Sequence, residues 1–181
     1  MQRLQSYIFA FCMAAISATA AAQSTTQVLT ADRMLDVRSG RLVNKPSILI
    51  RDGRIVEVTS NGSSVNAPAD AKRIDLPGMT LLPGLIDMHV HLDSDPLYGG
   101  YTGLQFGDRF WSMLMVPQAE KTLLAGFTTV RNVGSDAWND VGLMQAIDER
   151  KIQGPRIVPA TNSFGATGGH CDSTFFPPSM E

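Results

Sequence analysis

The chain has 181 residues, 44% of them hydrophobic and 18% charged, a composition of folded globular proteins rather than disordered tails. Its 15 basic and 17 acidic side chains leave a net charge of −2, which excludes a strongly basic nucleic-acid binder. Two cysteines exclude a disulfide-rich scaffold.

Residues 1–22 read as an export signal. Arg3 supplies the positive start, residues 8–18 an apolar core too short to span a bilayer, and Ala20-Ala21-Ala22 the small-x-small pattern of a cleavage site before Gln23. An uncleaved anchor is the alternative, and the short core speaks against it. Cys12 leaves with the leader, so Cys171 is the single cysteine of the mature chain and no internal disulfide is expected. The expected location is periplasmic or secreted, with no stable membrane anchor after cleavage.

Residues 27–59 read as short strands. Ser47-Ile48-Leu49-Ile50 and Arg54-Ile55-Val56-Glu57-Val58 flank Asp52-Gly53, a two-residue hairpin signal. Residues 61–70 are rich in Asn, Ser, Gly and Ala and read as an exposed loop. Arg73-Ile74-Asp75-Leu76 resumes strand character, and Pro77-Gly78 is expected to turn it. The block 23–80 is thus a small β unit, below the size at which a sheet stabilises itself unaided.

From Leu81 the pattern changes to strand–helix alternation. Residues 85–92 form a strand. Residues 110–125 have helical content, with Pro117 marking a kink or a start and Gly126 the end. Residues 127–133 are the next strand. Residues 140–151 form a helix lined by Val141, Met144, Ile147 and Ile152. Gly154-Pro155 breaks it, residues 156–160 make a third strand, and 162–169 a glycine-containing loop. A closed (β/α)₈ barrel takes about 250 residues, roughly 31 per unit, so the segment 81–181 holds about three units. It is either a small open α/β sheet or an incomplete barrel.

The chemistry concentrates in Pro83-Gly84-Leu85-Ile86-Asp87-Met88-His89-Val90-His91. Alternation along a strand puts Asp87, His89 and His91 on one face and Ile86, Met88, Val90 and Leu92 on the other. In a parallel barrel strand the apolar side meets the helices and the polar side faces the interior. Imidazoles at i and i+2 have Cα atoms about 6.6–7 Å apart, close enough to converge on one cation. Two solvated histidines on an exposed strand are the plain alternative. Against it, the opposite face is apolar, a Pro-Gly turn precedes the strand, and burying three ionisable groups without a partner costs several kcal/mol.

The segment Leu81-Leu82-Pro83-Gly84-Leu85-Ile86-Asp87-Met88-His89-Val90-His91 resembles the first barrel strand of the amidohydrolase superfamily. The preceding β block with its Asp-Gly hairpin resembles the N-terminal half of that family's small β-sandwich. Gly126-Phe127-Thr128-Thr129-Val130-Arg131-Asn132-Val133-Gly134, then Gly154-Pro155-Arg156-Ile157, then Thr167-Gly168-Gly169-His170, resemble the imidazolonepropionase-related branch. That branch includes prolidase-like dipeptidases and carboxypeptidases acting on Xaa-Pro or Xaa-Arg/Lys. The resemblance implies an α/β fold: the N-terminal half of a small β-sandwich over 23–80, then roughly the first three βα units of an incomplete (β/α)₈ TIM-type barrel over 81–181.

It also implies metal-dependent hydrolysis of C–N bonds, with His89 and His91 as ligands of one or two divalent ions, usually zinc. Members of the family complete the site with a carboxylated lysine or glutamate on the fourth strand, histidines on the fifth and sixth and an aspartate on the eighth. None of these lies within the chain, and two imidazoles fall short of the three protein ligands of a catalytic zinc. The chain therefore reads as the N-terminal part of a longer protein, expected by itself to bind metal poorly and not to turn over substrate.

Arg131 shares a strand face with Thr129 and is a candidate for pairing with Asp87 or with a substrate carboxylate. His170, in the loop after the third strand, is a candidate substrate contact, with a solvated loop histidine as its alternative. Asp93 and Asp95 read as solvated loop carboxylates, and Met113, Leu114 and Met115 as helix core. Export favours a peptide substrate, because imidazolone or nucleobase ring hydrolysis belongs to cytoplasmic pathways. The rivals are a cyclic-amide hydrolase or deaminase of the same superfamily, and a non-catalytic secreted module; homo-oligomerisation is left open.

Overall fold

A computed structural model describes residues 25–169 and Cys171. The expected leader at 1–22 and the candidate His170 lie outside the described residues. The chain forms two compact units that divide between Leu82 and Pro83.

The first unit is a five-stranded sheet. Its strands are β1 (Thr26–Asp36), β2 (Arg41–Asn44), β3 (Ser47–Arg51), β4 (Arg54–Thr59) and β5 (Lys72–Leu81). β5 runs parallel along one edge of β1. The other edge is shared: β3 pairs antiparallel with Thr26–Thr30, and β2 with Arg33–Asp36. The β3–β4 hairpin turns at Asp52 (φ 51°) and Gly53 (φ 73°), the double positive φ of the turn whose twist suits two strands.

Three expectations for this unit are corrected. β1 is 11 residues long, not one of several short strands. Pro77-Gly78 does not turn the chain; β5 continues through it to Leu81. Proline cannot donate to a ladder, and the pair is absorbed in a bulge where the register shifts opposite Ala31 and Arg33, with Gly78 at φ +76°. The loop at 61–70 is not wholly exposed: Val65 and, just beyond it, Ala71 are buried on Val28 and Leu49, with Ala67 packed beside them. The sheet thereby gains an apolar cover from a segment whose composition is otherwise polar.

The second unit holds three parallel strands in the order β6 (Leu85–Val90), β7 (Phe127–Asn132) and β8 (Arg156–Pro159). Helix α1 (Asp108–Leu124) joins the first two, and α2 (Asn139–Asp148) the last two. α1 packs on β7 and α2 on β8. Met115 and Ala119 from α1, Val130 from β7, Leu143 from α2, Ile157 from β8 and Leu92 just after β6 form one buried cluster. A fully buried Met, Val, Leu or Ile contributes about 1.5–3 kcal/mol, so this cluster is what clamps helices to sheet.

Helix α1 carries Asp108 in its first turn and Lys121 in its last, matching the helix dipole, and Gly126 (φ +98°) turns the chain out of it. Pro117 lies inside the helix and does not start it; it is on the exposed side, where a missing backbone bond is tolerated. On α2 the buried apolar residue is Leu143, with Met144, Ile147 and Ile152 beside it, rather than a row led by Val141. Met115 is buried in the core and Leu114 is half-buried, but Met113 is 69% exposed, on the side of α1 that carries the exposed Pro117.

Candidate metal centre

The carboxyl ends of parallel strands β6, β7 and β8 carry the polar residues of this unit, the end at which such sheets hold their ligands. His89 lies in β6 and His91 immediately follows it. Their rings lie on one side of the chain, with centroids 5.4 Å apart and planes inclined at 71°. A zinc-bound imidazole nitrogen sits about 2.0–2.1 Å from the ion, which puts each centroid roughly 3.2 Å from it and two centroids roughly 5.2 Å apart at a tetrahedral angle. The pair therefore fits two corners of one coordination sphere. Both histidines are exposed, and among the described residues no group of three His, Cys, Asp or Glu comes together. The donor set present is two of the three ligands that a catalytic zinc takes from a protein.

Asp87 is half-buried, and its Oδ1 accepts the His89 N–H at 3.0 Å. The β6–β7 ladder is irregular between Asp87 and Val90, so strict alternation does not run through the residue between them and the histidines. Arg131, on β7 and half-buried, forms no ion pair with Asp87 among the described residues. The apolar side of β6 meets the helices only at its carboxyl end. Leu92 is buried and Val90 packs on the core, whereas Ile86 (62%) and Met88 (58%) are exposed, because α1 lies over β7.

Three polar residues not singled out in the sequence complete the rim. Asn132, Ser135 and Asp140 are 0%, 4% and 0% exposed. Asn132 Oδ1 accepts the Leu92 N–H at 2.8 Å, and its Nδ2 donates to the Gly134 carbonyl at 3.0 Å. The Ser135 hydroxyl donates to Asp93 Oδ2 at 2.7 Å and accepts the Asp140 N–H at 3.2 Å. Asp140 accepts the N–H groups of Ala160 and Thr161 at 3.1 and 2.9 Å. The exits of all three strands are thus laced together. A signal for Asn132 existed: alternation puts it on the face of Val130, and a polar side chain at a core position implies buried hydrogen bonds.

Asp93 and Asp95 are likewise structural rather than solvated. Asp93 holds Ser135; Asp95 caps the short helical turn Pro96–Tyr98 through the Leu97 N–H and accepts Gln118 Nε2 at 3.0 Å. Phe106 stacks on Phe110 at 4.2 Å with Tyr98 and Trp111 edge-on, which pins the β6–α1 connection to the start of α1. Beside this cluster an open cleft of about 450 Å³ is lined by Asp93, Asp108, Trp111 and Asp136 among others; neither histidine lines it.

The amidohydrolase family model matches residues 80–174. The chain belongs to the amidohydrolase family. It is 36% identical over 101 residues to a dihydroorotase of Geotalea daltonii, a match covering 52% of this chain and 20% of the relative. It is 29% identical over 128 residues to an imidazolonepropionase of Streptomyces coelicolor, covering 68% and 31%. Among solved structures, a Xaa-Pro dipeptidase with bound methionine in its active site superposes with a TM-score of 0.72 at 31% identity, over 83% of this chain and 36% of that one. A prolidase complexed with N-methylphosphonate-L-proline superposes at 0.71 and 35%, over 85% and 36%. The chain thus spans about a third of the length of these structural relatives. The parallel unit corresponds to part of the amidohydrolase barrel, and the family's members are hydrolases that generally use divalent metals.

Proposed function

We propose that this chain supplies the first barrel strands and two metal ligands of an exported, zinc-dependent hydrolase of C–N bonds, acting on dipeptides or on the C-terminal residues of peptides. The observation that carries the reading is the His89–His91 pair, rings 5.4 Å apart at the carboxyl end of a parallel strand in an amidohydrolase-family chain. The likeness to the Xaa-Pro dipeptidase and to the prolidase supports the peptide substrate, and the leader-like residues 1–22 support export to the periplasm or beyond.

In this reading the divalent ion supplies Lewis-acid polarisation of water and of the scissile carbonyl. His89 and His91 each give a ring nitrogen to it. Arg131 offers a guanidinium to the terminal carboxylate of a peptide, the bidentate match that arginine makes best. His170, following the third strand in sequence, gives a second substrate contact. Two ligands are short of a full set, so the 181-residue chain alone binds metal weakly and does not turn over substrate.

The test measures zinc content and hydrolysis of Xaa-Pro and Xaa-Arg dipeptides by the complete secreted protein, with His89→Ala and His91→Ala alongside. Loss of metal and of turnover in both variants is expected. Undiminished, chelator-resistant turnover in both would refute the metal reading. Hydrolysis of dihydroorotate but of no dipeptide would instead favour cyclic amides, the reading the dihydroorotase relative supports.

A further inference from the structure

We infer that Asn132 is a positioning residue for His91, holding with its side-chain amide the peptide unit that joins His91 to Leu92. The inference rests on His89 and His91 being metal ligands, and adds to that reading a residue that touches neither ion nor substrate.

Both peptide units that flank the His91 Cα are gripped by the end of β7. On the amino side, the Val90 carbonyl accepts the Val133 N–H at 3.0 Å. On the carboxyl side, the Leu92 N–H donates to Asn132 Oδ1 at 2.8 Å. The first bond is an ordinary continuation of a parallel ladder. The second is not backbone pairing: β6 ends at Val90, and a side chain takes over where the ladder stops. His91 thus lies one residue past its strand, with its backbone still held as firmly as a strand residue's.

The clamp itself is held from the other end. Asn132 Nδ2 donates to the Gly134 carbonyl at 3.0 Å. An amide that must accept on one side and donate on the other has one orientation only, so its oxygen faces the Leu92 N–H. The residue is 0% exposed, so both bonds lie away from bulk solvent. Leu92 is itself buried in the apolar cluster at 3% exposure, so the peptide is fixed through its side chain as well. An aspartate here keeps the acceptor and, when protonated, the donor; a leucine of similar volume keeps neither.

The test is a zinc titration of the complete secreted protein, read by the His89 and His91 imidazole signals in NMR and by competition with a chromophoric chelator. Partners that orient a ligand change metal affinity by about 10–100-fold, so Asn132→Leu is expected to weaken zinc binding by about tenfold or more, and Asn132→Asp by less than about threefold. Leu143→Ala, which opens a cavity in the same core but leaves both Asn132 hydrogen bonds in place, lowers the melting temperature and leaves zinc affinity within about threefold of the parent. If Asn132→Leu does not fold, Asn132→Ser takes its place: its hydroxyl is too short to span the Leu92 N–H and the Gly134 carbonyl, and the same weakening is expected. Parent-like affinity in the variant that folds, or equal weakening in Leu143→Ala, overturns the positioning role while binding is still lost in His89→Ala and His91→Ala. Parent-like affinity in both histidine variants overturns the metal reading and the inference with it.

Discussion

Replacing Asp140 with alanine tests how the rim is held. The carboxylate accepts three N–H groups: Val141 at 2.9 Å, Ala160 at 3.1 Å and Thr161 at 2.9 Å. The Ala160 N–H also reaches the Asn132 carbonyl at 3.1 Å and keeps that partner. The Val141 bond is a first-turn contact of α2 and is only part-buried. Thr161 is the costly one. It has φ +63°, a left-handed backbone that a β-branched residue adopts only under constraint, at about 1–2 kcal/mol. Asp140 on its N–H and Ser135, whose N–H donates to the Thr161 carbonyl at 2.8 Å, are that constraint. Hydrogen bonds to a charged acceptor are worth about 1.5–3 kcal/mol each; with one shared and one partly hydrated, Asp140→Ala should cost about 3 kcal/mol. Urea unfolding measures the total, and amide exchange at Thr161 locates it. A loss below about 1 kcal/mol, with Thr161 protection unchanged, would refute the reasoning.

Gly84 opens the strand that bears the histidines, and a Cβ there would run into the Thr128 side chain, with Thr128 Cβ at 2.7 Å. Gly84→Ala is expected to cost about 1–3 kcal/mol as overpacking, and clearly less when made in a Thr128→Gly background; a neutral G84A refutes the contact. Gly78, at φ +76° with open space about it, is different: Gly78→Ala meets no atom and should cost about 1–2 kcal/mol from backbone conformation alone, measured by urea unfolding. The Asp36 carboxyl is held below its ordinary value of 3.8 by the Ser39 hydroxyl, at 2.6 Å, and then by the Arg38 N–H. Its contribution to stability is complete above that value and fades as pH falls through the depressed one. Ser39→Ala should move its NMR titration midpoint upward, and an unmoved midpoint would sink the assignment.

The parts legible in the sequence were those written in one short segment. Asp52-Gly53 announced its hairpin because two positive φ angles leave few residue choices. The three strands of the second unit announced themselves as apolar runs between glycines and prolines, and H-x-H as a pair on one side of a strand. What escaped depended on contacts between segments. Val65 is buried because Val28 and Leu49 need a cover, which nothing in the polar loop around it declares. Pro77-Gly78 has turn composition, yet pairing of β5 along β1 outweighs it and converts the turn to a bulge. Asp140 sits in the first turn of a helix, where an acidic residue is unremarkable; its role lies some twenty residues downstream, at Ala160 and Thr161. Asn132 came nearest to being legible, since alternation alone placed an amide in the core.

In the proposed reading, with His89 and His91 as ligands, this distribution bears on how the metal site forms. A metal ligand must be brought to the ion, and ordering a residue's backbone costs roughly 1–2 kcal/mol. For Val90, His91 and Leu92 that cost is already met by folding: Val133 holds one side, Asn132 the other, and Leu92 is buried. What the ion has left to order is the two exposed imidazole side chains, each with few rotatable bonds. The site is therefore rigid in its backbone and open in its rings, so weakening the backbone hold should lower affinity without altering which atoms bind.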